Sequence, residues 1–217
     1  MNKNIPQIDS IFSDLKSEIK DFAFDESVAE VFSDMINRSV PGYYQVIQFT
    51  GLLAKLFSKP NTHLYDLGCS IGDSSISMAK HASLESKVIS VDNSFSMLNK
   101  FKEKISSSSL PVKIELICDD VCHIPISNAS MISLNYTLQF IPIQLRNKLL
   151  EKIYNGMLDN GILILSEKVK FECTTEDNFF IDLHHRFKSH NGYSDIEISQ
   201  KREALEDVLI PESLLSH

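Results

Sequence analysis

Five short apolar runs, at 63–67, 87–91, 112–117, 130–135 and 161–165, are separated for the most part by stretches of helical spacing. Such runs read as buried strands, and their alternation with helices predicts an α/β chain built on a parallel sheet. Parallel neighbours need long, right-handed crossovers, so ligands gather at the carboxyl ends of the strands, near the point where strand order reverses. Strand ends are therefore where chemistry is sought.

Upstream of the first run, Val28, Val31, Phe32, Met35 and Ile36 recur at helical spacing, and Pro41 and Gly42 break that helix. A second helix follows with Val46, Phe49, Leu53 and Leu56 on one face. Residues 1–60 are thus expected to form a helical extension packed on the core. Residues 61–217 form the Rossmann-like domain, with a helical insert at about 168–209. "SIFSDLKSEIKDF" is either a short covering helix or a fraying end.

A chain of 217 residues, 43% of them hydrophobic, buries one substantial core. Its formal charge of -8 would repel a phosphate backbone, and the basic residues in "KHASLESK" and "NKFKEKISSSS" are mixed with acids or serines. Direct nucleic-acid binding is not expected. The N-terminus lacks a long apolar run, so neither a secretory signal nor a membrane span is expected, and the location read from this is cytoplasmic. Cys69, Cys118, Cys122 and Cys173 form no C-x-x-C pair and read as free thiols, and His184, His185 and His190 lack the helical spacing of a metal pair.

The stretch "YDLGCSIGDSS" joins the first strand to a helix. Gly68 and Gly72 permit the tight turn, and the amides of the helix start face whatever polar group docks there. A dinucleotide fold wants G-x-G-x-x-G, whereas the spacing here is G-C-S-I-G with Asp66 two residues before the first glycine. It resembles the D-x-G-x-G-x-G loop of class I S-adenosylmethionine-dependent methyltransferases, with Ser70 in place of the middle glycine. Asp92 ends the second strand, where a carboxylate accepts from ribose hydroxyls, as it would in an NAD enzyme too. The resemblance assigns Asp120 to the adenine amino group and Asn135, at the fourth strand end, to the methionine part. Taken singly, these residues also fit plain turns, caps and strand ends. Four polar positions at four successive strand ends favour nucleotide binding.

The flanks narrow the family. "RSVPGY", "YDLGCS", "DNS", "LNYTLQF" and "SEK", spread from about Phe22 to the C-terminus, closely resemble the carboxy-S-adenosyl-L-methionine synthases of bacterial tRNA wobble-uridine modification. The resemblance implies that the methyl of S-adenosylmethionine is carboxylated, with prephenate giving the carboxyl group and leaving as phenylpyruvate. It implies cofactor contacts at Tyr43, Gly68, Cys69, Ser70, Asp92, Asn93, Asp120, Val121 and Asn135. It also implies a homodimer and a separate tRNA carboxymethyltransferase that consumes the product. A sulfonium acidifies its methyl protons, and hydroxide leaving prephenate takes one, so no side chain is assigned as acid or base.

Arg202 is the cation assigned to the substrate or product carboxylate. Ile198, Leu205 and Leu209 share a helical stripe that includes position 202, so this guanidinium is expected on the buried face. It pairs there with a ligand, with Glu197 or Glu206, or it snorkels outward. Residues 168–200 are expected to wall or cover the pocket. Nothing after Val208 reads as a strand pair, so the sheet is expected to lack the two last strands of its relatives, through truncation or with a dimer partner covering the flank. Two other functions fit the same loop: an ordinary small-molecule methyltransferase, and a protein that binds S-adenosylmethionine without turnover.

Overall fold

In the computed structural model, which describes residues 7–216, the elements follow one another as α1 (Glu26–Ser39), α2 (Tyr43–Phe57), β1 (His63–Leu67), α3 (Asp73–His81), β2 (Lys87–Asp92), α4 (Phe95–Ser106), β3 (Lys113–Cys118), β4 (Ala129–Asn135), a 3-10 turn (Leu138–Phe140), α5 (Ile143–Gly156), β5 (Met157–Ser166), β6 (Val169–Lys170), α6 (Thr174–His190), α7 (Asp195–Leu205) and β7 (Glu212–Ser213). All five expected strands are present. They pair in the order β3-β2-β1-β4-β5, every pair parallel. Order therefore reverses beside β1, the switch point that the loop after β1 serves.

Successive side chains of a strand face opposite sides, and the core follows that period. Tyr65, Leu67, Ile89, Val91, Ile132 and Leu134 pack on one face with Leu149 and Ile153 of α5. Leu64, Val88 and Met131 pack on the other with Ala54 of α2 and Met78 and Ala79 of α3. The buried side of α2 differs from the expected one. Phe49, Leu52 and Leu56 are exposed, while Thr50, Gly51 and Ala54 are buried. The reason is close approach: a Cβ on Gly51 would lie 2.4 Å from Ser77 Oγ, and that hydroxyl donates to the Ile47 carbonyl at 2.9 Å. Only small residues fit against α3 there.

The chain forms two compact units, Tyr44–Glu167 and the residues up to Tyr43 with Lys168–His217. The boundaries thus fall at 43/44 and 167/168, where a single division at residue 60 was expected; residues 1–6 of the expected extension lie outside the described residues. The first unit holds the sheet. The second contains α1, α6 and α7, and a two-residue parallel pairing of β6 with β7. A strand does therefore form after Val208, against expectation, though it belongs to that separate pair and adds nothing to the five-stranded sheet. Two residues are too few to show as a run in sequence. No helix among the described residues is long and apolar enough to cross a membrane.

A buried ion network holds the second unit together. Asp9 accepts from Tyr193 Oη at 2.5 Å and lies 3.5 Å from Lys201 Nζ, while its amide donates to Asp34 at 2.7 Å and its carbonyl accepts from Arg38 at 2.7 Å. The Arg38 guanidinium stacks 3.9 Å above the Tyr193 ring. Gln200 donates to the carbonyls of Phe12 and Asp14, so the segment from Gln7 to Asp25 is tied down without helix. Asp9→Asn leaves the buried Lys201 ammonium uncompensated and should cost on the order of 3 kcal/mol in urea unfolding. Burial already pulls Lys201 down to about 8, below its unfolded value, so the loss should be larger at pH 6 than at pH 9.

Candidate functional site

The loop after β1 owes its path to left-handed residues. Gly68 and Gly72 sit at φ 80 and 86, and Ser70 at φ 50. Where the D-x-G-x-G-x-G pattern has glycine, serine here accepts a strained backbone, a cost of about 1–2 kcal/mol. Its amide repays part by donating to Asp92 Oδ2 at 2.8 Å. Neither glycine has room for a Cβ: at Gly68 it would meet Thr137 Oγ1 at 2.3 Å, and at Gly72 the Phe101 ring at 2.1 Å. Gly72 is also the N-cap of α3 and brings no side chain to the first-turn amides.

Beneath the loop, Asp66 is wholly buried and accepts from Ser75 Oγ at 2.5 Å, which in turn lies 2.7 Å from Ser90 Oγ. This ties β1, α3 and β2 at one point. Burial pushes the Asp66 carboxyl up to about 7 despite the Ser75 bond. Asp92 is raised too, by burial, against the amides of Ser94 and Ser70 that it accepts. Two of its lone pairs are thereby used; a carboxylate has about four. Asn93, beside it, is exposed. Asp120 accepts from the Cys122 amide at 2.7 Å in a tight turn, and Lys152 donates to the carbonyls of Val121 and Ile124, fixing the segment that follows β3.

Asn135 ends β4 with its side chain fully engaged. Its Nδ2 donates to Thr50 and Ser74 at 3.1 and 3.0 Å, and its Oδ1 accepts from Ser166 at 2.9 Å. It joins α2, α3 and β5 at the strand end. The next turn is clasped by Glu167, whose carboxylate accepts the amides of Thr137, Leu138 and Gln139 at 3.0, 2.8 and 3.1 Å. From the other end, Arg146 donates to the carbonyls of Gln139 and Ile141. Thr137, thus held, is the residue that closes on Gly68. Ser166 and Glu167 lie in the quoted "SEK" and Ser74 in the loop stretch, but only the fold reveals their partners; Thr50 and Arg146 carried no signal in sequence.

Of the expected contact residues, the sheet unit thus brings together Gly68, Cys69, Ser70, Asp92, Asn93, Asp120, Val121 and Asn135 around the ends of β1 to β4. Tyr43 opens α2, is buried, and closes the first segment of the other unit. Arg202 belongs to that unit as well and is exposed, contrary to its expected burial. The helix ends at Leu205, so Leu209 never joins the stripe, and the buried positions are Ile198, Gln200, Lys201 and Ala204. Arg202 instead lines a groove of about 510 Å³ with His185, Arg186 and Ser189 of α6 and Ser199 of α7.

Residues 64–161 match the methyltransferase domain family. Across nearly the whole length, the chain is 49% identical over 210 residues to the carboxy-S-adenosyl-L-methionine synthase of Pasteurella multocida, covering 96% of this chain and 87% of that one. It is 50% identical over 210 residues to that of Vibrio vulnificus, with 96% and 86% covered. Among solved structures it resembles mitomycin 7-O-methyltransferase (TM-score 0.59, 13% identity, 88% of this chain and 48% of that one). It also resembles a cyclopropane synthase of Mycobacterium tuberculosis (TM-score 0.52, 11% identity, 76% and 69%). At those identities the structures speak to fold alone.

Gly72→Ala should lower the affinity for S-adenosylmethionine by roughly tenfold or more in calorimetric titration and destabilise the chain by about 2 kcal/mol or more, since strain and overlap add. A second expectation concerns pH. A carboxyl raised in the folded state stabilises it below the unfolded value and loses that contribution as pH rises through about 7. Replacing Asp66 by Asn keeps an acceptor for Ser75, so the variant's stability relative to the wild type should rise from pH 4 to pH 8 in urea titrations.

Proposed function

This chain belongs to the carboxy-S-adenosyl-L-methionine synthase family, and on that premise we propose that it carboxylates the methyl group of S-adenosylmethionine with the carboxyl group of prephenate, releasing phenylpyruvate. The observation that carries this reading is the 49% identity to a synthase over 96% of the chain. The charge of -8 agrees with an enzyme that acts on small molecules and leaves RNA to another.

The chain's own residues supply positioning and charge. Asp92, with Asn93 beside it, takes the ribose hydroxyls; Asp120 and Val121 take the adenine. Gly68, Cys69 and Ser70, with Asn135 and the Tyr43 phenol, border the methionine part. The Arg202 guanidinium, which makes no hydrogen bond or ion pair with a described residue, holds the new carboxylate. The proton balance needs no side-chain base: prephenate loses carbon dioxide and hydroxide as its ring aromatises, the hydroxide takes one methyl proton to become water, and the methyl carbon bonds the carbon dioxide. Exclusion of water keeps that carbon dioxide from escaping.

The product serves a tRNA carboxymethyltransferase that modifies the wobble uridine, and the enzyme works in the cytoplasm as a homodimer. The exposed Phe49, Leu52 and Leu56 along one side of α2 support self-association, because a row of large apolar side chains gains by being covered.

Mass spectrometry of small molecules released from the protein after incubation with S-adenosylmethionine tests the reading. A carboxylated product should appear only when prephenate is added. Recovery of unchanged S-adenosylmethionine in both samples would reject carboxylation by this chain.

A further inference from the structure

β4 runs out into a backbone conformation that its next residue does not favour. Tyr136 sits at φ 60, and the other non-glycine residues of positive φ among those described are Asn61, Ser70, Asn128 and Asn160. Asparagine tolerates that region, whereas a bulky aromatic residue there is strained. Such strain persists only where the surroundings over-determine it, and it gathers at functional sites. Both flanks are fixed in this way: the Tyr136 amide donates to the Ser166 carbonyl at 2.6 Å, and the next three amides, of Thr137, Leu138 and Gln139, go to Glu167.

The same turn governs the ring. Strand alternation would send residue 136 after Ile132 and Leu134 onto the face packed against α5. The left-handed step ends that alternation, and Tyr136 stays half-buried outside the cluster formed there. It follows directly on Asn135, whose side chain spends both Nδ2 protons on Thr50 and Ser74 and accepts from Ser166. While these bonds stand, Asn135 has little left to offer a ligand, and its neighbour is the next side chain that β4 supplies at its carboxyl end. Burial, and then the Glu167 charge, raise the Tyr136 phenol above its ordinary value, so the ring stays neutral. The face of a neutral ring attracts a cation, and S-adenosylmethionine carries one on the sulfur that bears its reacting methyl.

We propose that Tyr136 is a further substrate-binding residue, its ring facing the sulfonium and held there by the strained turn after β4. It favours the charged sulfonium over the neutral thioether of S-adenosylhomocysteine, and it helps to place the methyl carbon. The assignment rests on the synthase reading only for the use of S-adenosylmethionine and does not require carboxylation.

The test titrates both ligands into the full chain and into its Tyr136→Phe and Tyr136→Asn variants by calorimetry. Asparagine accepts a left-handed backbone, so the second variant keeps the turn and loses the ring. In Tyr136→Asn the affinity for S-adenosylmethionine should fall by roughly threefold to thirtyfold relative to that for S-adenosylhomocysteine, and Tyr136→Phe should keep the wild-type ratio. S-adenosylhomocysteine affinity should stay within about threefold in both variants, which shows the crevice intact. A wild-type ratio in Tyr136→Asn, or an equal loss of both ligands, overturns the contact and leaves the ring a structural part of the turn. A loss of ratio in Tyr136→Phe as large as in Tyr136→Asn overturns it too, because the hydroxyl then carries the effect. If the wild type makes no carboxylated product from prephenate, the synthase reading fails on its own, and the ratio of the two affinities still decides this one.

Discussion

Five parallel strands cannot be closed by hairpins, so every connection in the sheet unit must travel back over a face, and all five carboxyl ends emerge on the same edge. That constraint decides where polar residues can meet. Asp66, Asp92, Asp120 and Asn135 are distant in sequence and come together only because β1 to β4 end side by side. The reversal of order at β1 opens the crevice over the loop from Gly68 to Gly72.

What makes the crevice rigid is a set of polar ties beneath and beside it. The Asp66, Ser75 and Ser90 cluster anchors the helix start to two strands. Asn135 draws α2, α3 and β5 to one point, and Glu167 with Arg146 clasps the turn whose Thr137 packs on Gly68. Buried polar groups satisfied in this way specify one arrangement, because any shift leaves a donor or acceptor unpaired. The second unit is organised on the same principle around Asp9, whose partners Arg38, Tyr193 and Lys201 come from "RSVPGY", "NGY" and "QKR". Part of what identifies the family in sequence is thus the scaffold of that unit.

The comparison of Lys201 and Arg202 shows where reading a stripe from sequence runs out. Both are basic, adjacent and on one helix; one is buried against Asp9 and the other faces a groove. The stripe of Ile198, Leu205 and Leu209 assumes a helix that continues past Leu205, and a last turn carries no firm mark of where it stops. α2 misled in a similar way, since its large apolar residues outnumber the small ones that pack, and close approach rewards small size above hydrophobicity.

Local pattern by itself determined the strands, the loop and the residues at strand ends, because period-2 burial, glycine at positive φ and acids after apolar runs are each written in neighbouring positions. Tertiary structure alone decided the division into Tyr44–Glu167 and its companion unit, the clasp on Thr137, the fully engaged Asn135 and the pairing of Asp9 with Lys201. Each of these is a relation between residues tens or hundreds of positions apart. A side chain's charge can be read from the chain, but whether anything balances it depends on what folding brings alongside.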